Sequence, residues 1–132
     1  MGQEWRVPYE QTMGEFLLRL YLANRLETGT SISAAAGWGG DQAVLYYHDA
    51  SDEALLVLRW VWDTPADQDE FQQAYMRYAE ARYGEAGAPS GVGTTCWSGV
   101  DTLCVIWGAE QSTLVIGADG EDVARVLPFL AD

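Results

Sequence analysis

The stretch Ala54-Leu55-Leu56-Val57-Leu58-Arg59-Trp60-Val61-Trp62-Asp63-Thr64-Pro65-Ala66-Asp67 contains a strand, its stop and the start of a helix. The run Ala54–Leu58 is too continuously apolar for the alternation of a half-buried strand. It predicts a central strand covered on both faces for part of its length. A period of two then returns, with Trp60 and Trp62 on one face and Arg59 and Val61 on the other. Thr64 is placed to cap a helix, Pro65 at the first helical position loses no needed donor, and Asp67 suits the positive end of the helix dipole. Phe71, Tyr75, Tyr78 and nearby alanines give that helix an apolar face, and Gly84 ends it after Tyr83. The two tryptophans fit as core beneath this helix more readily than as a sugar or peptide groove.

Working outward, the polar turn Asp49-Ala50-Ser51-Asp52-Glu53 joins this strand to another over Ala43–His48. Ser31–Trp38 reads as a weak, alanine-rich strand, and Gly37, Gly39 and Gly40 mark a turn ending at Asp41. Ahead of it a helix runs from about Thr12 to Leu26, because Thr12 and Glu15 have the spacing of a capping box. Phe16, Leu17, Leu20 and Tyr21 fall on one face of that helix, Leu26 continues it less regularly, and Gly29 is a stop. On the other side, Glu85–Gly93 is a flexible loop of Gly, Ala, Pro and Ser, too short to divide domains. Strands follow at about Thr94–Trp97, Thr102–Trp107 and Thr113–Ala118. A last helix runs from Asp119-Gly120-Glu121 to Leu130, with Pro128 near its end. The expected order is α-β-β-β-α-β-β-β-α in a single domain over residues 1–132. Its class is α+β, an antiparallel sheet with helices packed against it. Trp38-Gly39-Gly40-Asp41 and Trp97-Ser98-Gly99-Val100-Asp101 precede hairpins in a faint internal echo, which the shared need for glycine and aspartate in turns explains more readily than duplication.

Composition narrows the function classes. The chain has 132 residues, 48% of them hydrophobic, with 7 basic and 20 acidic side chains and a net charge of −13. That is enough apolar material for a real core. Every basic residue is an arginine, so a Schiff-base or P-loop lysine is impossible. So acidic a chain is repelled by nucleic acid and by anionic lipid, and neither is an expected partner. No apolar run is long enough to span a membrane, and no basic region followed by an apolar stretch marks a signal peptide.

Candidate chemistry is sparse. His48 lies beside Asp49, Asp52 and Glu53, but a lone histidine at a strand end is more often a solvated or carboxylate-paired group. Zinc would usually call for more histidines or a cysteine cluster, so neither a metal nor a cofactor is expected. Cys96 and Cys104 stand eight apart across the turn at Gly99-Val100-Asp101. Residues equidistant from such a turn face each other, so a disulfide and a pair of buried free thiols both fit. A Cys–His nucleophilic pair lacks its usual surroundings. Gly37-Trp38-Gly39-Gly40-Asp41 is the most individual motif. It suits a glycine-rich turn whose tryptophan plugs a sheet edge, or a binding loop formed by Trp38, Gly39, Gly40 and Asp41. The acidic groups at 67–70 and 119–122 sit at helix starts, where the dipole explains them without calcium.

Two stretches resemble an uncharacterised prokaryotic family. Thr12-Met13-Gly14-Glu15-Phe16-Leu17-Leu18-Arg19-Leu20 and Ala34-Ala35-Ala36-Gly37-Trp38-Gly39-Gly40-Asp41 match its G-E-F and A-A-G-W-G-G-D-R pattern. Trp62-Asp63-Thr64 with Asp67 and Glu70-Phe71 match further on, so the likeness covers most of residues 12–75. Where the pattern often has arginine after the aspartate, this chain has Gln42. In longer members the region follows a part resembling an exported or lipid-anchored zinc metallopeptidase, none of whose catalytic residues is present here. The resemblance implies an extracytoplasmic setting and favours the disulfide.

The expected function is a non-catalytic accessory or binding domain related to that C-terminal region, with a protein or peptide partner. The alternative is a small acidic homodimer resembling type III secretion chaperones, which share this size, charge and element order and keep free thiols. Monomer and homodimer both remain open on the sequence.

Overall fold

The computed structural model describes residues 5–91 and 93–130. In chain order its elements are β1 (Trp5–Gln11), α1 (Glu15–Ala23), α2 (Thr28–Ala35), β2 (Trp38–His48), β3 (Glu53–Trp62) and α3 (Pro65–Tyr83). They continue with β4 (Ala88–Pro89), β5 (Thr94–Ser98), β6 (Thr102–Trp107), β7 (Gln111–Gly117) and α4 (Gly120–Leu130). The strands form one antiparallel sheet in the order β1-β2-β3-β7-β6-β5-β4. The α+β class and the antiparallel sheet with packed helices are as the sequence predicts.

Strand β3 is covered on both faces where its apolar run predicts it. Leu58, Trp60 and Trp62 belong to the core under α1, α2 and α3, while Leu55 and Val57 pack with Val123 and Val126 of α4 on the opposite face. Helix α3 starts as read: the Thr64 hydroxyl accepts from the Asp67 N–H at 3.1 Å, Pro65 opens the helix, and Gly84 closes it at φ 77°. Phe71 and Tyr75 are fully buried, with Phe71 ring centroids 4.5 Å from Trp62 and 4.9 Å from Trp60. Such aromatic pairs add to the free energy of simple area burial. A buried polar chain crosses this core: the Trp62 indole donates to Ser112 at 3.2 Å, and Ser112 bonds Gln68, which donates to Gln72.

Four expectations need correction. Ser31–Trp38 is not a strand; most of it is α2, since alanine is the best helix former and is depleted in strands. An unexpected strand, β1, precedes the first helix and pairs with β2. The short strand β4 lies in the loop 85–93 and pairs with β5. Helix α1 is shorter than Thr12–Leu26 and begins after Gly14, with no side-chain cap from its own first turn. Its buried residues are Leu18 and Leu22, with Phe16, Leu17 and Leu20 exposed. The element is apolar nearly all round, so periodicity alone could not choose its inner face.

Cys96 and Cys104 are direct partners in the β5–β6 ladder, with Cα atoms 4.1 Å apart, and they form a disulfide. Cys104 is buried in the cluster under α4. Replacing both by alanine opens a loop of sequence separation 8. It should lower unfolding free energy by about 2–3 kcal/mol in a urea titration, and reductant should shift the wild-type midpoint similarly.

Candidate functional site

The motif Gly37–Asp41 lies where four chain segments meet: the start of α1, the start of β2, the end of β3 and the start of α3. The Asp41 carboxylate stands at the centre. One oxygen accepts from the Met13 N–H at 2.6 Å, and the other accepts from the Gly14 N–H and the Trp38 indole, each at 2.8 Å. Gly14 takes φ 90°, a conformation that side chains rarely adopt, and so turns its N–H toward Asp41. The chain entering α1 is therefore anchored by a residue 27 positions away, through the two amides ahead of the first helical residue, and Thr12 does not cap the helix.

The glycines of the motif let the end of β3 approach closely. The Asp63 N–H donates to the Gly37 carbonyl at 2.9 Å. A Cβ on Gly37 would overlap the Asp67 side chain, and one on Gly39 would press on Asp63 and the Val61 carbonyl. A register shift between Trp38 and Gly40 lets Trp38 pair with Trp62 while Gly40 pairs with Val61. Trp38 is half-buried against the aromatic core. Gly14, Trp38, Asp41, Asp63, Thr64 and Asp67 thus form one junction, and both carboxylate oxygens of Asp41 are engaged within the chain. Gln42 donates to Glu10 at 2.8 Å on the exposed side, linking β2 to β1.

His48 lies at the far end of β2. Its Nδ1 is 2.6 Å from the Ser51 hydroxyl and accepts from the Ser51 N–H at 3.2 Å, while Trp5 packs on the ring at 5.1 Å. These contacts close the β2–β3 turn, in which Asp52 adopts φ 56°. Arg6 pairs with Asp49 at 2.7 Å in an exposed bridge, and each holds the other in its charged form.

The sequence reading missed two clusters. Glu53, Asp119 and Asp122 bring carboxylate oxygens within 4.8 Å of one another where the β2–β3 hairpin meets α4. Asp119 accepts from the Glu121 N–H at 2.8 Å, as expected of a helix start, and Arg125 reaches Asp122 at 3.2 Å. Burial, and next the hydrogen bond and charge of Glu53, push the Asp122 carboxyl up to about 6; the shared hydrogen bond holds Glu53 below its ordinary value. The second cluster is tyrosine-rich. The hydroxyls of Tyr21 and Tyr75 are 2.8 Å apart, and burial keeps both protonated. Nearby, Tyr83 donates to Asp101 at 2.5 Å and Arg82 pairs with it at 2.8 Å. A shallow groove of about 340 Å³ runs between α2 and α3, lined by Thr30, Ser33, Glu70, Gln73 and Arg77 among others.

A different kind of surface lies outward from the junction. Phe16, Leu17 and Leu20 are 61%, 44% and 51% exposed on one side of α1, and Ile32 on α2 is 45% exposed. The segment 5–38 that holds these helices carries three arginines and three glutamates, whereas residues 39–132 carry four arginines against sixteen acids. The excess negative charge therefore belongs almost entirely to the rest of the molecule.

The model of a family described as a domain of unknown function, DUF8575, matches residues 5–127, and the chain belongs to that family. No curated protein and no solved structure matches it.

Asp41→Ala strands three donors at once and should cost about 3 kcal/mol of unfolding free energy. Asp41→Asn, which keeps one acceptor oxygen, should cost less; equal costs in chemical denaturation would contradict the shared-carboxylate geometry. The raised Asp122 carboxyl makes the folded chain hold an extra proton between about pH 4 and 6, so its contribution to stability falls as pH rises through that window. Asp122→Asn should flatten that fall and raise stability at pH 7 by about 1 kcal/mol after allowance for solvent screening, as thermal melts across pH would show.

Proposed function

Taking that membership as the premise, we propose that the chain is a non-catalytic accessory domain that binds protein through the uncovered side of α1. One observation carries the reading. Phe16, Leu17 and Leu20 stand exposed together on one side of α1, where the Arg19 guanidinium lies over the Phe16 ring, in a chain whose net charge is −13. Exposed apolar side chains gathered on one side of a helix are the usual mark of a docking face. The motif Trp38-Gly39-Gly40-Asp41 then serves that face by fixing where α1 starts and how it is rotated, in place of meeting a ligand itself. The likeness of these motifs to the region behind metallopeptidase-like parts supports an appended role, and the disulfide suits an oxidising compartment. The chaperone-like reading calls for free thiols, so the accessory reading is preferred.

The test is titration of the intact protein, by fluorescence anisotropy, with a labelled amphipathic helical peptide carrying no net charge. Binding by wild type and its loss by tenfold or more in Leu17→Glu is the expected result. Equal binding by both, or by neither, would defeat the reading.

A further inference from the structure

We infer that α4 is a proton-latched lid over the Cys96–Cys104 disulfide: a proton held between Asp122 and Glu53 keeps the first turn of α4 down, and its loss lets that turn lift. The lid lies on the face of the sheet opposite α1.

What lies beneath α4 is the disulfide. Cys104 is buried in one cluster with Leu55, Val57 and Val115 of the sheet and Val123 and Val126 of the helix, and Cys96 packs half-buried against it. A reductant that attacks the Cys96 sulfur must expel the Cys104 sulfur as a thiolate into this apolar cluster, which disfavours the charge. One that attacks Cys104 directly meets the side chains that cover it. Either route is slow until α4 moves aside. Little holds α4 down. It has eleven residues, too few to persist in water alone, and Pro128 removes a donor within it. Its buried side chains are Val123, Val126 and, near its start, Asp122. At the far end the Arg59 guanidinium donates to the Leu130 carbonyl at 3.4 Å.

Asp122 supplies the latch. Its side chain is only 8% exposed, and its carboxyl shares a hydrogen bond with that of Glu53 on β3, which the two groups make only with a proton between them. Asp119 completes a group whose oxygens lie within 4.8 Å of one another. The groups that face the pair come from both elements: Asp119 and Arg125 from α4, Ser51 and His48 from the β2–β3 hairpin. Arg125 reaches Asp122 at 3.2 Å, but its side chain is 70% exposed, so it offsets little of the repulsion. Burial first, and then Glu53, push the Asp122 carboxyl up to about 6. Below that pH the proton joins helix to hairpin. Above it two carboxylates face each other beside Asp119, and lifting the first turn of α4 into water relieves them. Arg59, Leu127 and Leu130 keep the far end seated, so the opening is local.

The experiment follows amide hydrogen exchange of the intact, oxidised protein at about pH 5 and pH 7.5, with rates corrected for the intrinsic effect of pH. Protection of the α4 amides should fall by about threefold or more from the lower pH to the higher, while α3 keeps its protection. Reduction by a water-soluble phosphine should quicken in the same proportion, measured against a disulfide-bonded peptide in the same buffers. The phosphine gives two electrons and water gives an oxygen and two protons, so phosphine oxide and two thiols result. Asp122→Asn, whose amide donates to Glu53 at either pH, should hold α4 closed and remove the pH dependence from both readouts. Glu53→Gln, donating in the other direction, should do the same and serves if the first variant does not fold. Equal α4 protection at the two pH values in wild type would overturn the inference, as would a pH effect retained in the variants. Loss of protection in α3 together with α4 would mean global opening and overturn it too. An α4 that opens without quickening reduction would overturn its role as a cover for the disulfide.

Discussion

The Asp41 carboxylate decides how the N-terminal third of the molecule is attached to the rest. Its two oxygens take three donors from two separate places, the Met13–Gly14 backbone and the Trp38 indole. Helix α1 has only nine residues, too few to persist in water on its own, and it has no side-chain cap from its own first turn. A carboxylate at its amino end anchors the two amides that lead into it and complements the dipole. By contrast α3 has nineteen residues, its own cap in Thr64, a proline at its start and a left-handed glycine at its end. One helix forms from its local sequence, whereas the other depends on a distant residue.

That difference explains what could be read in advance. Strand β3 and helix α3 were legible because their signals are local: a doubly apolar run, a cap, an N-terminal proline and a terminal glycine. Trp60 and Trp62 were legible as core because the helix that covers them follows directly and brings Phe71 and Tyr75 over them. The facing of Cys96 and Cys104 followed from turn symmetry alone. Whether they join depends on redox setting as well as geometry, and the ladder places them directly opposite in a bridged pair.

What escaped was set by contacts distant in sequence. β1 carries Trp5, Val7 and Tyr9 at alternate positions, but Pro8 interrupts the run and only the pairing with β2 makes it a strand. The segment Ser31–Ala35 had no clear periodicity, and alanine's helix preference prevailed once Ala34 and Ala35 could bury against the core. The face of α1 was misread for a more instructive reason. Phe16, Leu17, Leu18, Leu20, Tyr21 and Leu22 surround the helix, so no single stripe exists in the sequence. The tether to Asp41 and the packing of Leu18 and Leu22 choose the rotation, and what is left outside is apolar. The carboxylates of Glu53, Asp119 and Asp122 were unreadable as a group for a similar reason: a hairpin turn and a helix start meet only in the folded chain.

A whole-chain charge is an average, and here the average conceals a division. Long-range repulsion of polyanions depends on the total charge, here −13 on 132 residues. Close-range recognition depends instead on the side chains that meet, and on α1 the exposed Phe16 lies under the Arg19 guanidinium. Net charge usually keeps proteins apart by acting over their whole surface. On one side of α1 the fold leaves Phe16, Leu17 and Leu20 uncovered. Burying Leu18 and Leu22 and exposing their apolar neighbours are two consequences of one rotation, set by the Asp41 tether ahead of the helix together with the packing of Leu18 and Leu22 in the core.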